Sequence, residues 1–132
     1  MDRELGRMTI YAVVLAALQA GSVAAADSPI EGVTEIFSPY AACIGTAAER
    51  YAKVDATAEE AAVTAMQDCY EQGVKAKAGS IAYTKNWNES ASAEHRVPLR
   101  EVEAFADQVR LVQAKNWAIS RVVRTRAAAK GR

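Results

Sequence analysis

Residues 38–79 read SPYAACIGTAAERYAKVDATAEEAAVTAMQDCYEQGVKAKAG, and this stretch decides the fold. Ser38 is a good N-cap, and Pro39 suits a first helical position, where its missing N–H is not needed and its φ is already helical. A helix is therefore expected to start there. Tyr40, Cys43, Ala47, Tyr51 and Val54 recur at steps of three and four, which lines them along one face. Glu49, Arg50 and Lys53 fall elsewhere. Asp55-Ala56-Thr57 is long enough only for a turn, and the run from Thr57 to Glu60 fits a capping box that opens a second helix at about Ala58. Its facing stripe is Ala62, Met66, Cys69, Gly73 and Ala76, flanked by Val63, Tyr70 and Val74, and the helix is expected to weaken near Gly79-Ser80.

The two cysteines of the chain test this hairpin. Cys43 lies roughly 12 residues before the turn and Cys69 roughly 13 after it, so at about 1.5 Å per residue both stand at the same level, some 19 Å from the turn. Both fall on the facing stripes, as a Cα separation of about 5–6 Å across a disulfide requires. The alternatives are a metal pair or a redox-active pair. Neither a second Cys or His at ligand spacing nor a Cys-x-x-Cys supports them, and a structural Cys43–Cys69 bridge is expected.

Upstream, Met8 to Leu18 is apolar, Gln19, Gly21 and Ser22 interrupt it, and Ala24-Ala25-Ala26 gives the small-residue pattern of a signal peptidase site. Residues 1–26 read as a cleaved secretory signal. The rival is a retained membrane anchor, because Met8–Ala26 carries no charge and is barely long enough to span a bilayer. Export to an oxidising compartment, the periplasm of a bacterium or the extracellular space, would let the cysteines pair and stay paired. Residues 27–132 then form one small domain, marginal on hydrophobic burial alone, for which the bridge matters. Residues 27–37 hold Pro29 and Gly32 and read as an extended or irregular lead-in, with Ile30, Val33, Ile36 and Phe37 apolar enough to pack on the hairpin.

Residues 80–97 give a poor signal: Ile81, Tyr83 and Trp87 could extend the second helix or pack as a loop. Pro98 starts the next helix, and residues 98–129 run without interruption. Val102, Phe105, Val109, Val112, Asn116, Ile119 and Val123 alternate in steps of three and four, a heptad pattern over three repeats. A coiled-coil dimer would want charges beside that stripe, where Lys115 is the one charge, so packing on the hairpin in a monomeric bundle is favoured. Asn116 would then need a partner or mark where the helix leaves the core.

The chain is neutral overall, with 16 basic and 16 acidic residues, but the charge is divided. Residues 27–107 hold 14 acids against seven bases, whereas after Asp107 there are no acids and seven cations: Arg110, Lys115, Arg121, Arg124, Arg126, Lys130 and Arg132. The helix dipole favours cations late in the helix, and they also offset the acidic hairpin. A functional reading is contact with an anionic membrane surface or an acidic protein partner. Nucleic acid is not an expected partner of an exported chain.

No catalytic, cofactor or metal motif rises above background. His95 is the single histidine and sits in a polar loop; Glu59 and Glu60 read as first-turn helix charge and not as an acid/base pair. The Lys-Asn-Trp tripeptides at 85 and 115 have unmatched flanks, and their tryptophans read as packing residues. Asn88-Glu89-Ser90 has the form of a glycosylation sequon, which has meaning only in a eukaryotic secretory pathway. The hairpin loosely resembles the small exported two-cysteine helical proteins of bacteria, a likeness that implies no particular activity. The sequence is thus read as an all-α domain, a disulfide-stapled antiparallel hairpin plus a long basic C-terminal helix, acting by binding and without a cofactor. A membrane-tethered accessory subunit of an envelope complex and a small enzyme are the alternatives.

Overall fold

The computed structural model describes residues 29–131. The expected signal segment, residues 1–26, and Arg132 lie outside the described residues. The chain is all-α: α1 (Ile30–Tyr51), α2 (Ala58–Asp68), α3 (Tyr70–Ser90), a 3-10 turn (Ala93–His95), α4 (Leu99–Gln108), a π-helical turn (Val109–Gln113) and α5 (Ala114–Lys130). Among the described residues there is no strand, and no helix is long and apolar enough to cross a membrane. Two compact units emerge, one taking in residues 29–38 and 76–106, the other residues 39–75 and 107–131.

The second unit holds the stapled hairpin. Thr57 closes the capping box expected of it: its hydroxyl accepts from the Glu60 N–H, and its own N–H donates to Glu60 Oε2, each at 3.1 Å. Cys43 and Cys69 are bonded, with their Cα atoms 5.9 Å apart. Ile44, Ala47, Ala48, Ala61, Ala62, Ala65 and Cys69 are buried, and α5 packs along α2 through Ala114, Ala118 and Val122. Alanine and glycine at so many buried positions let helix backbones approach closely, which a small core exploits. The far end of the hairpin departs from the expected stripe, since Val54 lies in the turn and is exposed. Cys69 interrupts the second helix with φ −101° and ψ 12°, and its N–H bonds back to Ala65 and Gln67. α3 then resumes at Tyr70 and runs past Gly79-Ser80 to Ser90, where weakening was expected.

In the first unit the expected irregular lead-in over 27–37 is helical from Ile30, so Ser38 and Pro39 lie inside α1 and do not start it. An interior proline removes one backbone bond and crowds the carbonyl four residues back, at a cost of about 3 kcal/mol. Here Ser38 and Pro39 face water, where the freed carbonyl can be hydrated, while Val33 and Phe37 are buried on the stripe that continues as Tyr40 and Ile44. Burying two large apolar side chains is worth roughly 1.5–3 kcal/mol each and outweighs the proline. Phe37 meets Phe105 edge to face, ring centroids 5.9 Å apart. Ser80 and Thr84 are fully buried yet satisfied, their hydroxyls donating to the carbonyls of Ala76 and Ser80 at 2.7 and 2.8 Å. Asn88 clamps the following loop with a pair of 2.8 Å bonds, its amide donating to the Val97 carbonyl and accepting from the Val97 N–H. The asparagine of the sequon is thereby committed to the fold.

The C-terminal helix corrects the heptad reading. Val102, Phe105 and Val109 are buried as expected, but the π turn inserts one residue, and the buried positions beyond it are Ala114, Ala118 and Val122. Val112, Asn116 and Val123 are turned outward, and Ile119 is half-buried. Asn116 therefore needs no partner in the core.

Candidate functional site

Of the six described cations after Asp107, four have partners within the fold. Arg126 spans the hairpin turn: its Nε donates to the Ala52 carbonyl at 2.9 Å, and one terminal nitrogen donates to those of Val54 and Ala56 at 3.0 and 2.7 Å. These are carbonyls at and beyond the C-terminal end of α1, which a helix cannot satisfy by itself. Arg121 pairs with Glu49 at 2.9 Å, and Lys115 with Glu59 at 2.8 Å. The hydrogen bond and charge of Lys115 hold the Glu59 carboxyl below the usual carboxylate range. Arg110, on the π turn, is largely covered, its guanidinium 5.7 Å above the Tyr70 ring and 3.7 Å from Asp107. Arg124 and Lys130 are exposed and make no ion pair among the described residues. The seventh, Arg132, lies outside them.

Between α2 and the π turn lies an open groove of about 260 Å³. Val63, Met66 and Gln67 share one face of α2 at steps of three and four, and Tyr70 continues that face into α3. Leu111 closes the opposite wall. The residue inserted by the π turn leaves Leu111 66% exposed at the groove and keeps Val109 in the core, the kind of redirection for which π turns recur at functional sites. Arg110 and Lys115 bring two cationic groups to the lining, and Tyr40 lies at the base. The Tyr40 hydroxyl donates to the Arg110 carbonyl at 3.5 Å. Burial raises the Tyr40 phenol pKa, and the nearby Arg110 charge partly opposes that rise.

Gly73 permits this arrangement. A Cβ there would lie 3.1 Å from Tyr40 Cε2 and 3.2 Å from Arg110 Nε, so only glycine lets both side chains close over the helix without displacement. The sequence pattern places Gly73 on a facing stripe but does not announce that Tyr40 and Arg110 meet over it. Nor does it announce the groove, which depends on the register change at the π turn.

The lining is chemically simple: aliphatic, thioether and aromatic surface beside two cations, without an assembled nucleophile and base. Among the described residues no group of three or more His, Cys, Asp or Glu side chains could hold a metal ion. Elsewhere, Ser92 Oγ and His95 Nδ1 lie 2.7 Å apart on the exposed 3-10 turn, where they close the turn on itself. The cysteines, the one other reactive pair, are bonded to each other. Compared with family models, curated proteins and solved structures, the chain matches none.

Proposed function

We propose that this is an exported, non-catalytic binding protein whose working site is the groove between α2 and the π turn. The observation that carries the reading is the exposure of Val63, Tyr70 and Leu111 around one concavity, where a small domain would ordinarily bury such side chains or replace them with polar ones. Export is supported by the Cys43–Cys69 bond, which persists in oxidising compartments, and by the apolar, alanine-ended N-terminal sequence. Titration with a polarity-sensitive apolar dye tests the groove. The native protein is expected to enhance the dye's emission saturably, and Val63→Asp, at an exposed position that can accept a charge, is expected to abolish the enhancement. Equal emission from both proteins would overturn the reading.

A second reading has its own support. On the outward side of α5, Val123, Arg124 and Lys130 are exposed, and no acid follows Asp107. That side suits weak contact with an anionic membrane surface, where each nearby cation contributes about 1 kcal/mol. Co-sedimentation with anionic and neutral vesicles at low salt tests it, with anionic-only binding lost in Arg124→Ala/Lys130→Ala as the expected result. Equal or absent binding to the two vesicle types would reject it.

A further inference from the structure

The groove's chemistry narrows what it can hold, and the inference here rests on the binding reading above. We infer that its ligand is a single aliphatic chain ending in a carboxylate, of the medium-chain fatty acid class.

Size comes first. A volume of about 260 Å³ is below the roughly 300–1,000 Å³ of sites for drug-sized ligands, so the groove suits a small ligand such as one narrow chain and not a folded cofactor. The apolar wall from Val63, Met66, Tyr70 and Leu111 matches such a chain, and the unbranched thioether of Met66 can adjust to it.

Charge selects the head group. The two ionised side chains of the lining, Arg110 and Lys115, are both cationic, and the acids they meet, Asp107 and Glu59, stand outside the lining. Asp107 is 3.7 Å from the Arg110 guanidinium, beyond the 2.7–2.9 Å of a close charge-assisted bond, so that guanidinium keeps donor capacity for an incoming carboxylate. Lys115 carries three donors and gives one to Glu59. An ammonium head would be repelled at the same place, and an alcohol would accept a hydrogen bond there without the added attraction of opposite charge.

The backbone argues against a peptide as occupant. The groove's walls belong to helical segments, whose N–H and C=O groups bond within the helix, so an extended main chain laid there would find no backbone edge to pair with and only the side chains of Gln67, Tyr70, Arg110 and Lys115 as partners. An alkyl chain has no such need.

Isothermal titration with three ligands of equal chain length tests the inference: decanoate, decanol and decyltrimethylammonium, each below its aggregation concentration. Decanoate is expected to bind at least about tenfold more tightly than decanol, the difference one charge-assisted hydrogen bond supplies, and the ammonium ligand more weakly still. Lys115→Gln and Arg110→Gln, each checked for retained helicity, are expected to bring decanoate down to the level of decanol. Lys115 is exposed enough that its variant should fold even if loss of the Arg110 stack disturbs the π turn. Equal binding of decanoate and decanol would overturn the carboxylate assignment and leave an apolar groove. Binding of none of the three, or binding unaffected by Val63→Asp, would overturn the groove as the binding site.

Discussion

Arg126 shows how much of a small fold can rest on one side chain. Its guanidinium reaches the carbonyls of Ala52, Val54 and Ala56 at once, and in this turn the Val54 carbonyl also accepts from the Ala56 N–H at 2.9 Å. Arg126→Ala is expected to lower stability by about 1.5–3 kcal/mol in urea unfolding, the usual range for hydrogen bonds to a charged group. Arg126→Lys should recover little of it, because an ammonium cannot reproduce the planar fork that reaches three acceptors. A loss below about 0.5 kcal/mol in Arg126→Ala would show that water serves the turn equally well. A second expectation concerns Tyr51, whose hydroxyl donates to Asp68 Oδ2, a carboxylate that Arg50 also meets at 2.6 Å. The bond to Asp68, above all, raises the Tyr51 pKa from its ordinary value of 10.0. A raised pKa means the folded state favours the protonated phenol. That contribution is complete below about pH 10 and is lost as pH rises through the higher folded value. Tyr51→Phe should therefore lose stability at neutral pH and flatten the fall in stability above pH 10. A fall of the same steepness in both proteins would exclude Tyr51 as its source.

At the scale of the element, the π turn has the largest consequence, and it makes the registers before and after it separately testable. Ala118 is fully buried and Val123 is half exposed, whereas an unbroken heptad would bury Val123. Ala118→Leu is expected to cost about 1–3 kcal/mol by overpacking, and Val123→Ser to stay within about 0.5 kcal/mol. The reverse order would restore the uninterrupted stripe. This is also where the sequence stops being legible. The hairpin could be read because its signals are local and chemical: the Thr57–Glu60 box and two cysteines equidistant from one turn. Ser38-Pro39 carried an equally local start signal, but Val33 and Phe37 belong to the same buried stripe as Tyr40, and packing overrode the cap. The π turn has no composition of its own, so the groove built on Leu111 was invisible until the register was known. The charge division after Asp107 was plain in the sequence. Where those charges go was not, because Arg121 and Arg126 reach partners more than 70 residues away.

For the molecule as a whole, two expectations follow from a small alanine-rich core. Phe105 and Phe37 are the largest buried side chains of the first unit, so Phe105→Ala should cost about 3–5 kcal/mol. The protein should also sediment as a monomer. A concentration-dependent dimer that Val112→Asp/Val123→Asp dissociates into folded monomers would mean that the outward stripe of the last helix is an interface between copies. The bridge is the final case. It links residues 26 apart in a unit whose buried positions are mostly alanine, each of which buries little apolar surface. In the chain-entropy account, closing such a loop in the unfolded state is worth about 3–4 kcal/mol, a large part of the roughly 5–15 kcal/mol that holds a domain together. Cys43→Ser should therefore lower the melting temperature by tens of degrees, given about 4–8 °C per kcal/mol for a domain of about 100 residues. The same bridge bears on where the protein works. Protein taken from its native compartment, unfolded without reductant and treated with an alkylating reagent should gain no mass. Gain of two alkyl groups would mean that the thiols are free where the protein functions, and the argument from the bridge to an oxidising compartment would fall. An unchanged melting midpoint in Cys43→Ser would instead separate the two claims, leaving a bond that forms after export but that the fold does not require.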